Sequence, residues 1–113
     1  MSQSQIEEIE LNIEQAKAFV ENGRALERLY ANRDFQEVIG KGYLEKEAVR
    51  LVHLKSDPSM QSQEMQEAVL KSIDAIGCLT NFFRSISHQA MLAEKAIEED
   101  GRTREEMLHE GLE

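Results

Sequence analysis

Few side chains of this 113-residue sequence have the type and spacing that chemistry requires. The three histidines, His53, His88 and His109, stand on separate stretches, and none has a second histidine or a cysteine three or four residues away. Zinc sites take several such ligands at short spacing. Glu106 and His109 form one copy of the Glu-x-x-His pattern, but di-iron bundles need a second copy on another helix. We therefore expect no metal and no cofactor.

The single cysteine, Cys78, lies in an apolar stretch and is expected to be a small buried side chain. A catalytic thiolate would need a base and electropositive surroundings, and His88 is the only nearby candidate. One cysteine cannot form a disulfide within the chain and suits a reducing compartment. The sequence contains no glycine-rich phosphate loop and no nucleophile elbow. We expect no enzymatic activity.

The formal net charge is −9, which disfavours nucleic acid and anionic membranes as partners. No 18-residue apolar run suggests a membrane span. Residues 94–113 hold eight acidic and three basic side chains, a net charge of −5. We expect this acidic end to dock on a basic protein surface. The side chains predicted to make the contact are Glu98, Glu99, Asp100, Glu105 and Glu106.

Two readings of the basic residues stay open. Arg24 and Arg28 are one helical turn apart, and Arg50 follows on a later segment. Neighbouring acids favour exposed ion pairs on these segments, while an anion site at a subunit interface is the alternative. Asp74 interrupts an apolar stretch, where it either faces solvent or meets an arginine such as Arg50.

The elements that must position these groups are helical. Residues 62–100 contain no proline and one glycine, and their apolar side chains recur in alternating steps of three and four. This spacing predicts one long helix with an apolar stripe, which must pack on a helix of the same chain or of another copy. We predict self-association through the stripe. Its main members are Val69, Ile76, Leu79, Phe83 and Ile86.

The preceding residues predict a second long helix and a helical middle. A stripe over about 4–30 predicts a continuous helix through Gly23, where a neighbouring helix could approach closely. Asp34 is the expected N-cap of a short helix that Gly40 and Gly42 interrupt. A further helix is expected to bury four side chains and to end before a loop at 56–59. Those four are Leu44, Ala48, Leu51 and Val52.

These segments predict an all-α fold, an antiparallel helical hairpin or small bundle with two long helices and a short helical middle. We expect a single domain over residues 1–113. The long helix should end near Gly101. Thr103 should then cap a last short helix, and residues 101–113 should be a mobile acidic segment unless a partner orders them.

A set of short motifs resembles a family of small helical proteins encoded by tailed bacteriophages, over roughly residues 6–100. The motifs are Asn32-Arg33-Asp34-Phe35, Gly42-Tyr43, Glu47-Ala48-Val49-Arg50-Leu51-Val52, Asp57-Pro58 and Ile73-Asp74-Ala75-Ile76-Gly77. Members of that family usually lack an assigned activity and are often encoded among virion or DNA-packaging genes.

The resemblance implies a virion structural or assembly component that forms homo-oligomers or binds another protein. It implies localisation in the host cytoplasm during infection or in the particle. The alternative is a phage-encoded inhibitor that binds a host or antiviral-defence protein with its acidic surface. An acidic mimic of DNA is one form of such an inhibitor. The family offers no functional residues that can be matched to this sequence.

Overall fold

The structure, a computed structural model, describes residues 3–111. Helices cover about 95% of these residues, and the described part of the chain contains no strand. The all-α fold with two long helices and a helical middle is therefore confirmed. In chain order the elements are α1 (Gln3–Ala31), α2 (Arg33–Phe35), a π-helix (Gln36–Glu47), α3 (Ala48–Ser56), a 3₁₀-helix (Pro58–Met60) and α4 (Gln63–Glu110).

The break after α1 is a single residue, Asn32, in an extended conformation. Its Oδ1 accepts a hydrogen bond of 2.9 Å from the backbone N–H of Phe35, so Asn32 is the N-cap. The prediction that Asp34 caps this helix is wrong, because Asp34 already lies in the first turn. A carboxylate in the first turn still interacts favourably with the helix dipole.

The two middle glycines do not interrupt the helix. Gly40 and Gly42 lie inside a continuous π-helix of 12 residues, which contradicts the predicted break. A Cβ at Gly42 would lie 3.2 Å from the backbone oxygen of Glu37, five residues earlier. A side chain at this position of the π-helix would therefore meet the backbone oxygen five residues earlier, and glycine avoids the contact because it has no Cβ.

The connection between α3 and α4 is held by side chains that bond to exposed backbone groups. Asp57 is extended, as expected before Pro58, and its Oδ1 accepts hydrogen bonds from the N–H and the hydroxyl of Ser59. The amide of Gln66 donates to the backbone oxygens of Lys55 and Met60, at 2.9 and 2.7 Å. The predicted loop is therefore confirmed, and hydrogen bonds link it to the helices on both sides.

Helix α4 has 48 residues and continues past Gly101 to Glu110, so the predicted end near Asp100 is wrong. The hydroxyl of Thr103 donates to the backbone oxygen of Glu99 within the same helix, so Thr103 does not cap a separate one. A glycine costs an exposed helix only about 1 kcal/mol, which the turns on both sides offset. Mobility of 101–113 stays a prediction, and Leu112 and Glu113 lie outside the described residues.

The described residues form two compact units. The first contains α1 up to Leu26 and α4 from Ser85 onwards. Its two helices run antiparallel, since Gly23 lies against Ala90 while Val20, earlier in α1, shares a pocket with Ile97. The buried apolar side chains of this unit are Ile13, Val20, Leu26, Ile86 and Ala93.

The second unit comprises residues 27–84. Its core joins Leu51 of α3 to Val69 and Ile76 of α4, with partly buried side chains such as Leu44 and Ala48 around them. Val52 was expected in this core but is exposed. It follows Leu51 by one residue, a rotation of about 100° around the helix, so both cannot face the same partner. The single domain expected over residues 1–113 stays a prediction.

Candidate interaction surfaces

The side chains that could bind a metal ion or act in catalysis lie apart from one another. His53, His88 and His109 are exposed, and no group of three histidine, cysteine or acidic side chains within residues 3–111 is arranged to hold a metal ion. Cys78 is also exposed, which corrects the expectation that it is buried. The buried face of α4 passes through Ile76 and Leu79 instead, and Cys78 points away from it.

The apolar stripe of α4 is packed within the chain. Val69, Ile76, Phe83 and Ile86 are buried and Leu79 is half-buried. Self-association stays a prediction, but these side chains are not an exposed surface on which a second copy could dock.

An aromatic cluster surrounds one member of the stripe in the second unit. The ring of Phe83 meets Tyr30 and Phe35 edge to face, with centroids 5.6 and 6.0 Å apart. Such pairs add about 0.5–1.5 kcal/mol beyond their buried area. Phe82 packs at a tilt against Phe83 but leaves 58% of its surface exposed. Phe83 is therefore a core residue, and Phe82 is a surface residue.

The basic residues pair locally. The guanidinium of Arg50 donates to Glu47, one helical turn earlier, through Nε at 2.8 Å, and this contact raises the pKa of Arg50. Arg24 lies 3.7 Å from Glu21 in the same manner. Asp74 is exposed and Arg50 is paired elsewhere, so the alternative of a partly buried Asp74–Arg50 pair is wrong.

The acidic end presents its carboxylates on more than one face of α4. Glu99 and Glu106 are seven residues apart and share one face, while Glu98 and Glu105 share another, about 100° around the helix. All four are exposed, and Asp100 is half-buried. The predicted acidic surface therefore consists of two separate stripes.

An apolar groove lies between α1 and α4 in the first unit, with a volume of about 360 Å³. Its two largest apolar side chains are Phe19 of α1 and Leu92 of α4, which are 46% and 51% exposed. Both sit beside the buried seam, since Val20 and Ala93 are buried immediately after them. The remaining lining residues are small or carry amides: Asn12, Gln15, Ala16, Gln89, Ala93 and Ala96.

The groove leads into acidic side chains at one end. On α4, the lining residues Leu92 and Ala96 continue at helical spacing to Glu99 and Glu106. Glu99 and Glu106 also border a shallow recess with Arg102 and Thr103. On α1, Glu8 precedes the lining residue Asn12 by one turn and is exposed. Both walls of the groove therefore end in exposed carboxylates at the same end of the antiparallel pair.

Sequence reasoning missed this groove. Phe19 and Leu92 lie one residue before the buried stripe of their helices, so they read as irregular apolar side chains on polar faces. The signal that could have found them is the second spacing of three and four along Gln89, Leu92 and Ala96.

None of the described helices is long and apolar enough to cross a membrane. No protein-family model, curated protein or solved structure matches the chain.

Proposed function

We propose that this chain is a non-enzymatic protein that acts by binding other proteins, as a structural or assembly component of a tailed-phage particle. The phage assignment rests on the sequence resemblance described above. The observation that supports a binding role is the groove, in which Phe19 and Leu92 remain about half exposed. Contiguous exposed apolar surface with a polar rim is typical of sites that another protein covers.

A second exposed apolar surface supports an assembly role. In the second unit, Val49 and Val52 lie three residues apart on one face of α3, and both are exposed. We propose that copies of the chain associate through this face, because the stripe of α4 is already buried. An assembly component must bind more than one neighbour, whereas an inhibitor needs only one surface.

The test is a deletion of the gene in the phage that encodes it. We expect electron microscopy of lysates from the deletion mutant to show incomplete particles. We also expect quantitative mass spectrometry to find the chain in purified wild-type particles at a fixed copy number. A plasmid copy should restore complete particles. A copy carrying Val52→Glu should not, if association through α3 is required.

Normal particles after deletion, together with reduced growth only on some host strains, would contradict the assembly role. That result would favour the inhibitor of a host or defence protein. The DNA-mimic form of this alternative further requires that the chain compete with duplex DNA for its target, which gel-shift competition measures.

A further inference from the structure

We propose that the groove between α1 and α4 binds a basic amphipathic helix of a partner protein, with the basic end of that helix lying over Glu8, Glu99 and Glu106. This inference rests on the proposed function, since it names the partner chemistry of the groove described there. It goes further in specifying the secondary structure and charge of the bound segment, and which of its ends lies over the carboxylates.

The dimensions of the groove favour a helix. Its lining on α4 runs from Gln89 to Ala96, and its lining on α1 runs from Asn12 to Phe19, so each wall is about two turns long. A helix that lies in such a groove presents anchors at i, i+3, i+4 and i+7. Phe19 and Leu92 can pack around these anchors while the small side chains of Ala16 and Ala96 leave room for them.

The rim of the groove suits a partner segment whose backbone groups already form hydrogen bonds with one another. The amide side chains of Asn12, Gln15 and Gln89 line it, and amides accept and donate hydrogen bonds to polar side chains flanking the anchors. An extended strand would leave its own backbone groups unpaired over Phe19 and Leu92, whereas a helix satisfies them internally.

Charge selects the partner. Exposed carboxylates follow the lining residues on both walls at one end of the groove, where Arg102 lies between Glu99 and Glu106, and the chain as a whole carries −9. A second copy with the same net charge would gain no electrostatic attraction at this end of the groove, since interactions between exposed charges extend about 8 Å in physiological salt. A segment with lysine or arginine beyond its anchors is attracted, and its orientation in the groove is set by which end carries the bases.

The experiment uses fluorescence anisotropy with the whole chain and synthetic helical peptides of about 18 residues, long enough to form helix on binding. The first peptide has leucine anchors at helical spacing and lysines in its last two turns. The second has the same composition with the lysines in the first two turns, and the third replaces lysine by glutamate. A fourth peptide carries lysines at both ends and serves as the reference for the maximum affinity, because a docked helix can lie in either direction.

We expect the lysine peptides to bind and the glutamate peptide not to bind. The affinity should fall about tenfold between about 50 and about 300 mM salt, because the contact is partly electrostatic. The two peptides with lysines at one end only should lie in opposite chain directions in the groove, because the lysines of each should lie over the carboxylates. A spin label at position 12 of the chain should therefore broaden signals from opposite ends of the two peptides.

Two matched pairs of variants locate the contact. Leu92→Glu should weaken binding about tenfold or more, whereas Met91→Glu, on a slightly more exposed neighbour outside the groove, should change it less than about twofold. Glu99→Gln with Glu106→Gln should flatten the salt dependence, whereas Glu98→Gln with Glu105→Gln, on the other face, should change it less. Circular dichroism verifies that every variant keeps its helices.

Equal effects within either pair, or binding of the glutamate peptide, would overturn the inference. A dimer in sedimentation equilibrium that Leu92→Glu abolishes would also overturn it, because a second copy would then cover the groove. The particle experiment is independent. If purified particles lacked the chain while the peptide results held, the assembly role alone would be refuted. If the peptides failed to bind while the deletion mutant still produced incomplete particles, this inference alone would be refuted.

Discussion

Gly23 of α1 and Ala90 of α4 lie so close that a Cβ built on the glycine would be 2.4 Å from the Cβ of the alanine. Real Cβ atoms essentially never approach to that distance. Glycine therefore permits the close contact of the two helices in the first unit. The residue that costs α1 helix propensity is the one that allows the helices to pack.

Gly23→Ala should lower the free energy of unfolding by about 1–2 kcal/mol, because overpacking outweighs the gain in helix propensity. Gly101→Ala is the matched control, since a Cβ there meets no atom within 4 Å beyond its chain neighbours and its own helix backbone, and it should raise stability by about 0.5–1 kcal/mol. Urea unfolding measures both. Equal stabilisation by the two variants would contradict the close approach, and adding Ala90→Gly to Gly23→Ala should restore part of the loss.

Phe83→Ala should cost about 3–5 kcal/mol, because the ring is 9% exposed and packs on Tyr30 and Phe35. Phe82→Ala removes a neighbouring ring that is 58% exposed and should cost less than about 1 kcal/mol. Thermal unfolding measures the difference. If Phe83→Ala dissociated an oligomer and left the stability of the chain unchanged, the ring would belong to an interface between copies.

Asn32→Ala should destabilise the second unit by about 1 kcal/mol, because it removes the oxygen that accepts from the N–H of Phe35. Asp34→Ala should cost only a few tenths of a kcal/mol, from its charge near the helix start. Chemical denaturation of both variants distinguishes the two caps. A larger loss for Asp34→Ala would show that the cap predicted from the sequence forms after all.

The two hydrogen bonds from Ser59, first from its hydroxyl and then from its backbone N–H, hold the pKa of Asp57 below its ordinary value. A lowered pKa in the folded state stabilises the fold above the ordinary pKa, near pH 4, and this contribution is lost as the pH falls through the folded value. Asp57→Asn should therefore reduce stability at neutral pH and have less effect in strong acid. Melting temperatures at successive pH values measure this convergence.

Ser59→Ala is the control for that pH dependence, because it removes the hydroxyl bond and leaves the backbone bond in place. It should reproduce part of the effect of Asp57→Asn over the same pH range. A constant difference between the Asp57→Asn variant and the original chain, at every pH, would show that the carboxylate contributes no proton-linked stability.

The beginning and end of several elements could be predicted because local interactions determine them. Pro58 excludes a helical conformation at Asp57, and the hydroxyl of Ser62 accepts from the N–H of Met65 at the start of α4. Gly23 was correctly predicted to lie within a continuous helix. The predicted stop at Gly101 was wrong, since a glycine after a long helix can end it or be carried along, and local sequence does not decide between them.

The sequence by itself determined the all-α class, the two long helices and the α4 stripe, because helix propensity and apolar spacing act within a few turns. Only the tertiary structure decided which stripe residues are buried. Counted by sevens, Val69, Ile76 and Ile97 occupy one position of the stripe, and Met65 and Ala93 occupy another. At the first position Val69 and Ile76 are buried but Ile97 is only half-buried, whereas at the second position Met65 is exposed and Ala93 is buried. A straight helix drifts by about 20° per heptad, so its buried face moves around the axis. The packing that results turns Leu92 into a groove residue and leaves Met91 outside it.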